Sequence, residues 1–408
     1  MRIALLNQFY APDISPTAQL AAGLAEHRAA RGDHVTVVTG RAGYLEGLSP
    51  SPGTSAGSPV RVRRVWTPDL GKSTVARRLG GYATYLAGAL LRAVTLPRQD
   101  VVVAMTTPPY VVVVALVHKL LHPRTRVVLW SMDCYPDAAE RLGEIRPGGT
   151  VARILRAVNR WAFGRVDRFV ALDPAMAELL RGDLDPSRPA GDVTVVPNWE
   201  RADLFPPGPA PQRWAGYDEL DTEGRTVVVY LGNTGYGHRF DAVLDAAGEL
   251  GDEALFLFVG GGARWAEIDD AARARGLTNV VLRGYVPKEE TAAVMAEADA
   301  ALITLDDRAL GIMSPSKLHA NLAAGLPILY VGPAGSNVDE AIARFGCGTS
   351  LRNGDAAGLV EAVRGLGADA ERRAALRKAA RHAFDEAYCD ERALPRLDVV
   401  IDGAAGQP

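Results

Sequence analysis

Short, continuous apolar runs recur along this chain, each followed by a helix-length segment. The series is interrupted once, by Phe205-Pro206-Pro207-Gly208-Pro209-Ala210-Pro211. Before that stretch, strands are expected at residues 3–7, 35–39, 60–65, 101–105, 127–132, 168–172 and 193–196, with helices at 17–31, 110–121 and 151–163. After it the pattern restarts, with strands at 227–231, 255–259, 280–282, 300–304 and 328–331 and helices at 240–250, 265–275 and 288–296. Strands that alternate with helices require right-handed crossovers and a parallel sheet. A proline-rich stretch continues neither a helix nor a central strand, so the linker is placed at 205–215, between domains at 1–204 and 216–387. A chain of 408 residues also exceeds one ordinary core. The expected fold is α/β: two doubly wound, Rossmann-like domains facing a central cleft, with ligands at the carboxyl ends of the strands.

Composition excludes several classes. A net charge of −3 gives no basic face for nucleic acid. Cys134, Cys347 and Cys389 are odd in number and far apart, with no CxxC. This argues against a disulfide framework or zinc site and fits a reducing cytoplasm. Metal motifs such as HExxH are absent, and so is GxSxG. Asp183-Leu184-Asp185 has the letters of a metal-binding DxD but sits beside Pro186 and reads as a solvated turn. No stretch makes a convincing membrane span. Residues 79–96 carry apolar side chains at helical spacing (Leu79, Tyr82, Leu86, Leu90, Val94) among Arg77, Arg78, Arg92 and Arg98. That pattern fits a helix covering a sheet, or one lying at a membrane surface.

Chemistry-bearing residues collect where strands end. Met313-Ser314-Pro315-Ser316-Lys317-Leu318 leads from a strand into a helix that stops at Gly325. A turn entering a helix presents free main-chain N–H groups, and Lys317 adds a full charge, so the segment reads as an anion site or as an ordinary capped helix. Lysine is scarce here, at positions 72, 119, 288, 317 and 378 only, which sets this one apart. Gly232-Asn233-Thr234-Gly235-Tyr236-Gly237-His238 closes the first strand after the linker, with glycines spaced for close approach of a ligand but not as GxGxxG. Gly260-Gly261-Gly262 does the same after the next strand, and Gly284-Tyr285-Val286 suits main-chain recognition of a planar base. Earlier in the chain, Asp133 ends a strand, where it reads equally as a hydrogen-bond acceptor for a hydroxyl and as a helix cap.

Taken in order, Tyr10-Ala11-Pro12-Asp13, residues 33–40, Asp133-Cys134-Tyr135-Pro136-Asp137, Val196-Pro197-Asn198, Gly232-Asn233-Thr234-Gly235 and Pro315-Ser316-Lys317 with Ala323-Ala324-Gly325 resemble the retaining GT-B glycosyltransferases of family four. The likeness is to the bacterial branch that builds O-antigen and exopolysaccharide, and it spans nearly the whole chain. It implies a UDP- or GDP-sugar as donor, no cofactor and no metal. Donor contacts would come from Gly232, Asn233, Thr234, Gly235 and Gly260, from Ser314, Pro315, Ser316, Lys317 and Leu318, and from Gly284, Tyr285 and Val286 at the base. Acceptor contacts would come from Tyr10, Asp13, Ser15, Thr17, Tyr110 and Asp137, with Asp133 and Lys317 catalytic. The acceptor implied is a hydroxyl, on a lipid-linked glycan or a small natural product, at a cytoplasmic site with possible peripheral membrane contact.

This sequence departs from the family at named positions. Two glutamates eight apart fall on Ile312 and Ala320, and the family's Arg and Lys of the first loop fall on Asn233 and His238, so either His238 or Arg239 substitutes as the cation or the donor is bound with fewer charges. Two other functions remain open: a nucleotide-sugar 2-epimerase, which turns over donor without acceptor, and a non-catalytic subunit, which requires a partner polypeptide. At the chain's end, the resemblance implies that residues 388–408 cross back to the first domain. Leu394, Leu397, Val399, Val400 and Ile401 need burial, and no further strand is expected in the second domain.

Overall fold

The computed structural model describes all residues except 14, 42–58, 69–74, 207–212, 288–289 and 407–408. Residues 49–59, whose Ser, Gly and Pro content predicts a loop, the middle of the expected linker and the start of the expected 288–296 helix therefore fall largely outside the described residues. The chain forms two compact units: Met1–Pro197 with Leu394–Pro408, and Asn198–Ala393. The first division thus falls upstream of the proline-rich stretch, and the return falls at Leu394 rather than at 388.

The first unit runs β1 (Arg2–Leu6), α1 (Pro16–Ala30), β2 (His34–Gly40), β3 (Arg61–Val65), α2 (Val75–Thr95), β4 (Val101–Met105) and α3 (Val111–Leu121). It continues with β5 (Arg126–Trp130), α4 (Asp137–Arg141), α5 (Thr150–Phe163), β6 (Arg168–Ala171), α6 (Pro174–Gly182) and β7 (Val193–Val195). Its seven strands are parallel in the order β3-β2-β1-β4-β5-β6-β7. Helices on both faces explain why β4, Val-Val-Val-Ala-Met, is buried throughout. The order reverses between β1 and β4, so the loops after those strands diverge and leave a crevice.

The second unit runs β8 (Thr226–Asn233), α7 (Asp241–Leu250), β9 (Ala254–Gly261), α8 (Trp265–Ala274), β10 (Val280–Arg283), α9 (Thr291–Ala296) and β11 (Ala300–Thr304). Then come α10 (Lys317–Ala323), β12 (Ile328–Val331), α11 (Asn337–Phe345), β13 (Gly348–Leu351), α12 (Ala356–Ala368) and α13 (Ala370–Ala383). Six parallel strands lie in the order β10-β9-β8-β11-β12-β13, which reverses between β8 and β11. Tyr230, Phe256 and Phe258 from β8 and β9 pack with Phe240 and the apolar sides of α7 and α12. Strand β13 corrects the expectation that no further strand was available.

The last helix, α14 (Asp390–Ala405), contains Pro395 and does not break there. Proline removes one main-chain donor, but Leu394, Leu397, Val400 and Ile401 are buried and hold the helix. Val399, expected to be buried, is 74% exposed. Its neighbours Asp398 and Asp402 instead face α1. Arg28 Nη1 donates to Asp398 Oδ1 at 2.7 Å and Nη2 to Asp402 Oδ1 at 2.8 Å, while His27 Nε2 lies 2.7 Å from Asp398 Oδ2. Among the described residues no helix is long and apolar enough to cross a membrane.

Candidate active site

In the second unit the candidate residues gather at the switch point between β8 and β11. Strands β8 and β9 stay in register to their ends, pairing Gly232 with Gly260 and Asn233 with Gly261. Gly260 adopts φ 145° and Gly262 φ 131°, regions that side chains rarely enter. A β-carbon at Gly260 would overlap the Gly232 carbonyl oxygen, and one at Gly262 would overlap Asn233 Oδ1 and the Thr234 amide. The Thr234 amide and hydroxyl both donate to the Gly261 oxygen, at 2.7 and 3.1 Å, and the Arg264 amide donates to Thr234 O at 2.9 Å. Two glycine loops are thereby joined into one surface. The exposed ring of Tyr285 lies against Gly261 at its margin, with Gly284 and Val286 beside it in the chain.

Lys317 reaches this surface from α10. Its Nζ donates to Asn233 O at 2.9 Å, lies 3.4 Å from His238 Nε2 and sits 4.7 Å from the centre of the Tyr230 ring. The Tyr230 hydroxyl donates to the same Asn233 oxygen at 3.0 Å. No carboxylate pairs with Lys317 among the described residues, and burial lowers its ammonium to about 7. The helix behind it has seven residues, so its dipole is short; the charge of Lys317 itself is the stronger attraction for an anion. Ser316 precedes the helix without a side-chain cap bond, Ser314 is half-buried, and the Pro315 oxygen accepts from Asn337 Nδ2 at 3.3 Å. Leu318 is fully buried and offers a ligand no side-chain contact.

His238 is not placed as a substitute cation. It is buried, its Nδ1 is 2.7 Å from Thr304 O, and burial followed by the charge of Lys317 lowers it to about 3. Arg239 is engaged by a carboxylate, its Nε donating to Asp241 Oδ2 at 2.6 Å. Ile312, at one of the missing glutamate positions, is buried. Tyr230, Thr304 and Arg264 were not anticipated. Tyr230 lies on β8, Thr304 ends β11 and Arg264 precedes α8, and only the fold brings them to Lys317 and His238, so no local sequence signal marks them.

In the first unit, Tyr110 and Asp133 stand at the carboxyl ends of β4 and β5. Tyr110 has φ 67°, a strained value for a residue other than glycine, and its buried hydroxyl has no partner among the described residues. It lines a cavity of about 30 Å³ with Asp133, Ser131, Asp137 and Asn159. The Asp133 amide donates to Thr106 Oγ1 at 3.0 Å, whereas its half-buried carboxylate makes no hydrogen bond or ion pair among the described residues. Burial raises that carboxyl to about 6. A partnerless carboxylate near neutral pKa suits accepting a proton or a hydroxyl hydrogen bond. Asp137, by contrast, is engaged by Arg156 at 3.0 and 3.2 Å. Around the β1 end, Asp13 Oδ1 accepts the Ser15 amide at 2.8 Å, and Ser15 caps α1. Thr17 O accepts from Asn7 Nδ2 at 3.4 Å, and Tyr10 is buried, its phenol pushed up by burial. Asp183 ends α6 and accepts from Asn159 at 3.2 Å, while Asp185 caps the Ser187 turn; the described residues contain no cluster of three metal-ligating side chains.

Residues 17–199 match the family model described as "Glycosyl transferase 4-like domain", and residues 218–383 match that of "Glycosyl transferases group 1". The "Probable glycosyltransferase WbjE" of Pseudomonas aeruginosa is 26% identical over 243 residues, covering 58% of each chain. The chain thus spans little more than half the length of that relative. The crystal structure of Anabaena Alr3699/HepE in complex with UDP and glucose superposes with a TM-score of 0.72 at 14% identity, covering 99% of this chain and 100% of that one. WaaG, a glycosyltransferase involved in lipopolysaccharide biosynthesis, superposes with a TM-score of 0.68 at 21% identity, covering 98% and 100%. With both sheets, both switch points and both domain families accounted for, the chain belongs to the GT-B glycosyltransferases that join a 4-like domain to a group 1 domain.

Proposed function

We propose that this chain transfers a sugar from a UDP- or GDP-sugar to a hydroxyl of a lipid-linked glycan or small acceptor, with retention and without a metal. The observation that carries the reading is Lys317: a half-buried ammonium with no carboxylate partner, aimed at two glycine loops that a side chain would fill. In the reaction, the bond from the anomeric carbon to the diphosphate breaks and a bond to the acceptor oxygen forms, while the hydroxyl proton leaves with the diphosphate. Negative charge grows on the leaving group, and a pre-placed ammonium stabilises it there. Asp133 would hold the acceptor hydroxyl in the first unit. The UDP and glucose named for the HepE structure support a nucleotide-sugar donor. A thermal-shift screen with UDP, GDP and their sugars tests this, since a ligand at 100 times its Kd adds about 2.7 kcal/mol. If none shifts the transition, the donor reading is wrong. Turnover of donor without acceptor would favour an epimerase, and loss of transfer in EDTA, restored by magnesium, would contradict metal independence.

The same proposal places the first unit at an anionic membrane surface, on the cytoplasmic side. Helices α2, α3 and α5 contain no Asp or Glu at all, although the chain is net acidic. Leu90, Leu91 and Val94 on α2, Leu120 and Leu121 on α3, and Ile154 and Trp161 on α5 are exposed, with Arg92, Arg153 and Arg160 among them. Helix α2 has two sides: Tyr85, Ala89 and Ala93 are buried over the sheet, while Leu91 remains 71% exposed. Apolar side chains set among arginines suit a headgroup boundary. Co-sedimentation with phosphatidylglycerol vesicles, lost in high salt and in Leu91→Glu, is expected; equal binding to neutral vesicles would refute the charge argument.

A further inference from the structure

His238 has a role that its replacement of a family cation does not suggest. Its ring is packed beside Tyr230 and Phe240, with centroids 6.0 and 6.3 Å away. Its Nδ1 lies 2.7 Å from the Thr304 carbonyl oxygen and its Nε2 lies 3.4 Å from Lys317 Nζ. A carbonyl oxygen only accepts, so Nδ1 carries the hydrogen; a neutral ring has one such hydrogen, so Nε2 keeps its lone pair. A second hydrogen on Nε2 would point at an ammonium. The charged groups acting on the ring are Lys317 on α10 and Arg264 before α8, both cations, and among the described residues no carboxylate bonds or pairs with it. Tyr230 on β8 and Thr304 on β11 complete the surroundings, the former with its hydroxyl committed to Asn233 O. Burial and both cations therefore favour the neutral ring and outweigh the Thr304 carbonyl, which alone favours the charged one.

We infer that His238 is a positioning residue: its Nε2 lone pair and the Asn233 carbonyl engage two of the three Lys317 N–H bonds, leaving one to meet a diphosphate oxygen. The inference rests on the donor reading above, but its geometry belongs to the free protein. Thr304 acts one step further back, because its carbonyl fixes which ring nitrogen faces Lys317.

Two variants test this with UDP as the probe. His238→Phe keeps an aromatic ring between Tyr230 and Phe240 but removes the acceptor, whereas His238→Gln offers a carboxamide oxygen in place of Nε2. His238→Phe should weaken UDP binding about tenfold or more, the effect of losing a hydrogen bond to a charged group, and His238→Gln should recover most of it. The pH profile separates positioning from packing. In the unmodified protein, binding should fall as pH rises through the Lys317 titration near 7. Removing a lone pair that favours the ammonium must move that fall to lower pH, whereas removing a neighbouring cation would move it higher. A move to higher pH, or unchanged binding in His238→Phe, overturns the proposal. Nitrogen-15 NMR of the free protein supplies a test that needs no ligand: His238 should remain neutral with hydrogen on Nδ1 at pH 5, and a charged ring or hydrogen on Nε2 would overturn it. Absence of binding by the unmodified protein to both UDP and GDP would instead refute the donor reading, leaving the NMR result to judge His238; binding to GDP alone makes GDP the probe for the same two variants.

Discussion

Replacing Arg28 by Met should loosen the C-terminal helix from α1 while leaving side-chain bulk nearly unchanged. Arg28 is 3% exposed and meets three carboxylates: Asp33 at 2.6 Å, Asp398 at 2.7 Å and Asp402 at 2.8 Å. Removing one partner from a buried ion network leaves charge uncompensated, at a cost of about 3–5 kcal/mol. Asp398 would retain His27 at 2.7 Å and Arg31 at 3.3 Å, which favours the lower end, about 3 kcal/mol. For a unit of this size that corresponds to a fall of roughly 6–12 °C in Tm. Differential scanning calorimetry, with limited proteolysis reporting release of α14, measures it. A change below about 2 °C would show that the network is electrostatically neutral in effect and that the apolar side of α14 alone holds it. The same network carries a pH signature. Burial alone would raise Asp398, but hydrogen bonds from His27 and Arg28 leave it below the usual carboxylate range. Its contribution is therefore complete above about pH 4, the unfolded value, and is lost as pH falls through the folded one. Arg28→Met should be less acid-sensitive than the unmodified protein.

Three further outcomes are expected. Lys317→Ala should weaken UDP binding by about 1.5–3 kcal/mol, read by calorimetry, because one charge-assisted bond is lost; unchanged affinity in a folded variant would remove Lys317 from the site. Asp133→Asn should lower kcat/KM by about tenfold or more, the effect of losing a hydrogen bond to a charged group, with little change in Tm. In the unmodified protein the rate should rise with pH through about 6 as that carboxyl ionises, and a flat profile would deny Asp133 the role. Gly260→Ala should abolish nucleotide binding, since φ 145° and the Gly232 carbonyl both exclude a side chain; retained binding would mean that the loop can open.

The strands buried on both faces were the most legible part of the sequence. Residues 101–105, 300–304 and 328–331 coincide with β4, β11 and β12, because burial on both sides demands a continuous apolar run. Strand β13 was missed for the converse reason: it is an edge strand of sequence Gly-Thr-Ser-Leu in which only Leu351 is buried. Helix α6 did carry a local signal, Asp173-Pro174, with Asp173 accepting the Met176 amide at 2.8 Å. The candidate site was legible where charge and turn chemistry coincide, as at Lys317. It was illegible where a role depends on a partner far along the chain: Thr304 stands 66 residues from His238 and decides how that ring presents itself.

The pairing of Gly232 with Gly260 places the surface made by the two glycine loops under the control of strand register. A flexible loop would tolerate a shift of its flanking residues, but here a one-residue slip of β8 against β9 would bring Leu231 or Val259 opposite a glycine and fill the surface. Lengthening the chain after Asn233 and lengthening it within β8 are therefore unequal events. The first alters a turn; the second shifts the glycines out of register and turns the buried side chains of β8 to the opposite face.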